Sequence, residues 1–291
     1  MFGGSMVAMV TPMARDGALD YAALVKLVEF HLDNGTDAIV AVGTTGESPT
    51  LSTREHADYL EKVMEIVAGR VPVIAGTGSN STDQSLAMTR HAAGLGVQGC
   101  LLVVPYYNKP TQEGLYRHFS AIADAVEVPQ ILYNVPGRTA LDMLPETVGR
   151  LAPNPNIVGV KEATGDVARV ERLRELCGED FGLYSGDDAT AMEFMLAGGD
   201  GVITVTGNVS PRDMHDLCEA ATSGERARAE EINTRLDGLH RALFVETNPS
   251  PVKWVLEQMG LIEGGIRLPL VPLSAEGQPA VREAMSRAGL V

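Results

Sequence analysis

Only three cysteines, Cys100, Cys177 and Cys218, occur in 291 residues. They are odd in number, far apart and without a C-x-x-C pair, which excludes a disulfide framework and a cysteine-built metal or redox centre and fits a reducing compartment. Basic residues are scarce as well: 23 Lys+Arg against 38 Asp+Glu leave a net charge of −15. Phosphate backbones and anionic lipid surfaces repel such a chain, so neither nucleic acid nor membrane is an expected partner. An anionic small molecule would have to meet locally placed cations or backbone N–H groups. No apolar run approaches the roughly 20 residues of a membrane span. The opening Met1-Phe2-Gly3-Gly4-Ser5 lacks the basic residues of a secretory signal, and a cytoplasmic location is expected. The six histidines, His31, His56, His91, His118, His215 and His240, show no ligand spacing, so no metal is expected. Gly76-Thr77-Gly78-Ser79-Asn80-Ser81 begins like a dinucleotide fingerprint but lacks its third glycine, which argues against nucleotide binding.

What is present is a soluble globular composition, 45% hydrophobic and 21% charged, with the length for one large barrel or two ordinary domains. Eight short apolar, β-rich runs recur at Met6–Val10, Ala38–Val42, Val71–Ala75, Cys100–Val104, Gln130–Asn134, Ile157–Lys161, Phe181–Ser185 and Gly201–Thr204. Between them lie stretches with helical spacing, such as Leu24, Leu27, Val28 and His31, or Leu60, Val63, Met64 and Val67. Nearly continuous apolar strands alternating with amphipathic helices imply a parallel sheet covered on both faces. Eight such units predict an α/β fold, a (β/α)₈ TIM barrel, over residues 1–224. Residues 225–291 read as a C-terminal helical extension packed on it, with helices over Arg226–Phe244, Val252–Met259 and Ala280–Ala288 and with Pro249, Pro251, Pro269 and Pro272 as punctuation.

One lysine stands out. The chain has five, and Lys26, Lys62, Lys109 and Lys253 fall where a solvated cation is expected, on charged helical faces, in a Pro-flanked loop and near a helix start. Lys161 instead sits in Ile157-Val158-Gly159-Val160-Lys161-Glu162, a run that reads as a buried strand. Desolvation disfavours a charged amine and lowers its pKa, which makes a neutral nucleophile available for Schiff-base chemistry. The alternative is a lysine satisfied by a buried carboxylate, with Glu162 the candidate.

In such barrels chemistry gathers where strands end and loops begin. After the second strand comes Gly43-Thr44-Thr45-Gly46-Glu47-Ser48, whose hydroxyls and N–H groups could hold a small carboxylate or could merely form a turn and helix cap. After the fourth come Tyr106 and Tyr107, one of which could present its hydroxyl to a site or to a neighbouring subunit. Tyr133 ends the fifth strand, one unit before Lys161, where a phenol could relay protons or simply bond to backbone. Arg138, four residues after that strand closes at Asn134, is placed for a substrate carboxylate. Asp187 and Asp188 read as a helix cap rather than an acid pair.

Gly43-Thr44-Thr45-Gly46-Glu47, Pro105-Tyr106-Tyr107, Tyr133-Asn134-Val135-Pro136-Gly137-Arg138-Thr139 and Gly159-Val160-Lys161-Glu162-Ala163-Thr164-Gly165 together resemble the 4-hydroxy-tetrahydrodipicolinate (dihydrodipicolinate) synthase family. This family falls within the N-acetylneuraminate lyase superfamily of pyruvate-dependent class I aldolases. The likeness runs end to end, from Val10-Thr11-Pro12 to Asn248-Pro249-Ser250-Pro251-Val252-Lys253-Trp254.

The resemblance implies a lyase of lysine and diaminopimelate biosynthesis that needs no cofactor beyond a covalent imine between Lys161 and pyruvate, with L-aspartate 4-semialdehyde as second substrate. It further implies Tyr133, Thr44 and Tyr107 as a proton relay, Tyr107 crossing a dimer interface. Thr45 would bind the pyruvate carboxylate and Arg138 that of the semialdehyde, and Ile203 would lie by the lysine through its carbonyl. A homotetramer built as a dimer of dimers is implied too. Ser48, Pro49, Thr53, His56, Asn80, Gln84 and Tyr106 correspond to an L-lysine effector site. Gln84 stands where sensitive members often carry glutamate, and Thr53 where some carry histidine. Because an amide pairs with an ammonium less strongly than a carboxylate does, weak or absent feedback is expected. The sequence leaves two other readings open. One is a sister enzyme, N-acetylneuraminate lyase or a 2-keto-3-deoxy sugar acid aldolase, and the other is a non-catalytic keto-acid-binding barrel.

Overall fold

The structure, a computed structural model, describes residues 2–290. Strands β1 (Gly4–Ala8), β2 (Ala38–Ala41), β3 (Val73–Gly76), β4 (Gly99–Val103), β5 (Gln130–Asn134), β6 (Ile157–Glu162), β7 (Gly182–Ser185) and β8 (Gly201–Thr204) close into a parallel barrel in sequence order. Closure is made by β1, where Met6 pairs with Ala38 of β2 on one side and with Ile203 of β8 on the other. Around the barrel run α1 (Tyr21–Asp33), α2 (Thr53–Val67), α3 (Thr82–Gly94), α4 (Gln112–Ala125), α5 (Pro136–Thr139), α6 (Pro145–Leu151), α7 (Arg169–Cys177), α8 (Ala191–Leu196) and α9 (Pro211–Thr222). Local chemistry starts these helices. Asp20 accepts from the Ala22 and Ala23 N–H groups ahead of α1, and Ser52 with Glu55 forms a reciprocal capping box on α2. Helix α2 then buries His56, Tyr59, Leu60, Val63 and Val67, one stripe of its surface.

Alternation along each strand divides the apolar residues between two layers. Ile39, Leu102, Leu132, Val160, Leu183 and Val202 pack outward under the helices. Val40, Ile74, Leu101, Ile131, Tyr133, Tyr184 and Ile203 fill the lumen. Strand β6 breaks the alternation once: Gln130 pairs with Ile157 and Ile131 with Gly159, so Val158 is an extra, unpaired residue. Counting by twos from the outward Ile157 would put Lys161 under the helices. The bulge reverses the phase and sets Lys161 level with Tyr133 and Tyr184, both lumen residues.

Beyond the barrel lie α10 (Arg226–Ala242), α11 (Ser250–Gln258) and α12 (Gln278–Arg287). Helix α10 packs on α9 and α12, and Leu236, Leu239, Val252, Leu256 and Val281 join the outer apolar layer. Both later helices begin earlier than their sequence pattern suggests, because Pro251 and Pro279 lie inside the first turn, where a missing N–H costs nothing. Two strands also shift. The first run ends at Ala8 because the Val10 N–H is taken by Asn208 Oδ1, and the third starts at Val73 because Pro72 has no N–H for the ladder. No helix among the described residues is long and apolar enough to cross a membrane.

Candidate active site

Lys161 is 5% exposed near the C-terminal end of β6. Glu162, its expected alternative partner, faces the other way. That carboxylate accepts from Asn134 Nδ2 (3.2 Å) and the Thr164 N–H (2.9 Å) and pairs with Arg169 (3.4 Å). Among the described residues no carboxylate lies within ion-pair range of the Lys161 amine. Its Nζ lies over the Tyr133 ring, 4.3 Å from the centroid. Burial pushes the amine down to about 8; the charge of Asp188 opposes this and that of Arg138 adds to it. Roughly a tenth of the amine is then neutral at pH 7, against well under a thousandth for an ordinary lysine. Gly186 makes the room, since a Cβ there would stand 2.9 Å from Lys161 Cε and 2.6 Å from the Ala163 Cβ.

Tyr133 is buried beside the amine, and burial raises its phenol's pKa, with the Arg138 charge and the Thr44 hydroxyl acting the other way. Thr44 and Thr45 ride on a loop bracketed by two left-handed residues, Val42 (φ 49°) and Glu47 (φ 57°). A β-branched residue rarely adopts that conformation, so the surroundings must enforce it. Thr11 Oγ1 donates to the Gly46 carbonyl at 2.7 Å, and Gly76 lets the loop come close, a Cβ there standing 2.8 Å from Gly43 Cα. Arg138, on the short α5, donates through Nη2 to the Asn248 carbonyl at 3.2 Å. Ile203 lies in the lumen at 1% exposure.

Lys253 overturns the expectation of a solvated cation. It is 2% exposed, forms an ion pair with the fully buried Glu47 and donates to the Gly265 carbonyl at 2.6 Å. Its place in the first turn of α11 resembles a surface position locally, and only the fold brings Glu47 to it across 206 residues of chain. Asn248 carries little local signal of a site residue for the same reason. It joins Thr45 to Arg138, and its sole sequence signal is its place in the Asn-Pro-Ser-Pro stretch.

A cavity of about 370 Å³ opens at this end of the barrel. Its walls include Thr44, Tyr133 and Arg138, and also Ser48, His56, Gln84 and Tyr106 of the candidate effector set, while Asn80 lies outside them. His56 bonds through Nε2 to the Gly76 carbonyl at 2.9 Å, and burial lowers its pKa. Tyr106 is partly exposed, whereas Tyr107 (φ 74°) is 89% exposed and is not brought to Thr44 and Tyr133 within this chain. Asp187 caps the turn at Thr190, while Asp188 is buried and accepts from the Val205 and Thr206 N–H groups at 2.9 and 2.8 Å. Among the described residues no cluster of three or more histidine, cysteine or acidic side chains is placed to hold a metal ion.

A buried lysine in the lumen of a closed parallel barrel, with a cavity over its neighbouring tyrosine, marks the barrel lyases as this chain's class. The model of the dihydrodipicolinate synthetase family matches residues 1–288, and the chain belongs to that family. It is 61% identical over 291 residues to the 4-hydroxy-tetrahydrodipicolinate synthase of Methylococcus capsulatus, covering all of both chains. It is 60% identical over 291 residues to that of Pseudomonas aeruginosa, again over the whole of each. The chloride-inhibited dihydrodipicolinate synthase of Acinetobacter baumannii, crystallised with pyruvate, superposes with a TM-score of 0.99 at 51% identity, with all of both chains covered.

Proposed function

We propose that this enzyme condenses pyruvate with L-aspartate 4-semialdehyde to give 4-hydroxy-tetrahydrodipicolinate, a step of lysine and diaminopimelate biosynthesis. The observation that carries the mechanism is the Lys161 amine, buried and, among the described residues, without a carboxylate partner. In its neutral form it attacks the pyruvate carbonyl, and loss of water gives an imine. Loss of a methyl proton turns the imine into an enamine, whose carbon attacks the aldehyde. The adduct's amino group then closes the ring and displaces Lys161. Tyr133, with Thr44, carries protons to and from the carbinolamine and the new alkoxide. Thr45 and its backbone bind the pyruvate carboxylate, and the Ile203 carbonyl flanks the amine. Arg138, the one lysine or arginine in the cavity wall among the described residues, binds the carboxylate of the semialdehyde. No other cofactor enters this scheme.

Tyr107 completes the relay from a second copy. Its left-handed backbone and 89% exposure support a side chain that serves a neighbour, in a homotetramer built from two such dimers. Residues 1–224 carry the chemistry and 225–291 brace it, in the cytoplasm. L-Lysine, if it bound at Ser48, His56, Asn80, Gln84 and Tyr106, would meet an amide already accepting from Ser79 Oγ at 2.7 Å. Feedback is therefore expected to be weak or absent, and micromolar inhibition in a steady-state assay would contradict this. The assignment itself is tested by offering pyruvate with the semialdehyde and, separately, with N-acetylmannosamine or a short sugar aldehyde. Turnover with the semialdehyde alone supports it. Turnover with a sugar aldehyde makes the chain a sister aldolase, and turnover with none makes it a keto-acid binder.

A further inference from the structure

We propose that Asn248 is a positioning residue that fixes the direction of the Thr45 hydroxyl, so that its proton points to the pyruvate carboxylate. The inference rests on the reading of Thr45 as the carboxylate's binding group. Asn248 is 4% exposed and arrives from the C-terminal region, just ahead of α11. Its Nδ2 donates to Thr45 Oγ1 at 3.0 Å, and its backbone carbonyl accepts from Arg138 Nη2 at 3.2 Å. One residue therefore touches both groups assigned to substrate carboxylates.

The side-chain contact has a chemical consequence. A threonine hydroxyl can donate one hydrogen bond and accept others. An amide N–H aimed at Oγ1 occupies an acceptor position and leaves the hydroxyl proton free. Thr45 is itself 3% exposed, so water does not compete freely for that proton. An anion brought to the loop then meets a hydroxyl already oriented to donate, in a chain whose net charge of −15 works against it. The opposite polarity would be harmful. An acceptor at this position would capture the Thr45 proton and turn the oxygen lone pairs towards the substrate carboxylate. Among the described residues the buried Oδ1 atom of Asn248 has no hydrogen-bond partner, so the amide is held through its donor end alone.

The backbone contact separates this role from that of Arg138. Substitution of the Asn248 side chain leaves the carbonyl that receives Arg138 in place. Loss of the amide should therefore act on pyruvate and not on the semialdehyde.

The test is a double-substitution cycle with the full-length enzyme, comparing Asn248→Ala, Asn248→Asp and Thr45→Val by steady-state kinetics in both substrates. Asn248→Ala is expected to raise KM for pyruvate about five- to tenfold, with kcat and the semialdehyde KM within twofold. Asn248→Asp, which is isosteric but accepts where the amide donates, is expected to raise it at least thirtyfold. In a Thr45→Val background Asn248→Ala should change pyruvate KM by less than twofold, because no hydroxyl remains to orient. An equal effect with and without the Thr45 hydroxyl, or a fall in kcat at unchanged pyruvate KM, would overturn the proposal. Should Asn248→Asp melt below assay temperature, the alanine cycle decides alone. Borohydride trapping keeps the two levels apart. If pyruvate is reduced onto Lys161 but the cycle shows no coupling, only the role of Asn248 fails, whereas absence of trapping in the unsubstituted enzyme removes the Thr45 assignment as well.

Discussion

Keeping a lysine in the barrel lumen has a thermodynamic cost, and its sign can be worked out. The amine falls from 10.5 to about 8 on burial, so between these values the unfolded chain binds more protons than the folded one. The penalty, about 3 kcal/mol at one pKa unit per 1.36 kcal/mol, is fully present below pH 8 and fades as pH rises towards 10.5. Lys161→Met should therefore abolish turnover yet raise the melting temperature at pH 7 by several degrees, and the gain should shrink by pH 9.5. Calorimetry of the two proteins at both pH values checks this; a destabilised methionine variant would contradict it. The sequence marked this lysine correctly as out of place in an apolar strand. It could not choose between a free amine and a Glu162 pair, since the two neighbours differ only in the face they occupy, and a one-residue bulge at Val158 settles that face.

At the scale of elements, the site depends on how closely segments approach. Gly186 directly follows strand β7, and a methyl group there meets the Lys161 side chain and Ala163. Gly186→Ala should cut kcat at least tenfold while leaving the fold intact, as read by kinetics beside circular dichroism; unchanged kcat would show that the amine has freedom to spare. The loop after β2 is held from behind by α11, through Lys253 on Glu47. Lys253→Met leaves a buried carboxylate unpaired and should cost about 3–5 kcal/mol in urea unfolding, much of it recovered by adding Glu47→Gln. If the double variant were no more stable than the single one, the pair would not be what anchors the loop. Alternating apolar runs and amphipathic stretches made the eight strands and most helices legible, because those signals are local. The Lys253–Glu47 pair and the Asn248 bridge were not, because their contacts join residues 206, 203 and 110 positions apart whose local patterns are ordinary.

At the scale of the whole molecule, acid is the expected weak point. Burial lowers His31 to about 3 and His118 to about 4, and it also lowers His56 and His240. Below about pH 6.5 the unfolded chain takes up protons that these rings refuse, so the stability they contribute is present above that pH and lost as pH falls. Glu55, held at about 2 chiefly by Arg267, adds a loss in the same direction below about pH 4.5. The melting temperature should fall steadily from pH 6.5 to pH 4, and a plateau across that window would contradict the neutral, buried state of the four histidines. The same closed molecule makes the central claim testable in one step. The protein is incubated with pyruvate, reduced with borohydride, digested and mapped by mass. The account expects a single pyruvyl adduct, on the peptide that contains Lys161. An adduct on Lys26, Lys62, Lys109 or Lys253, or none at all, would contradict it.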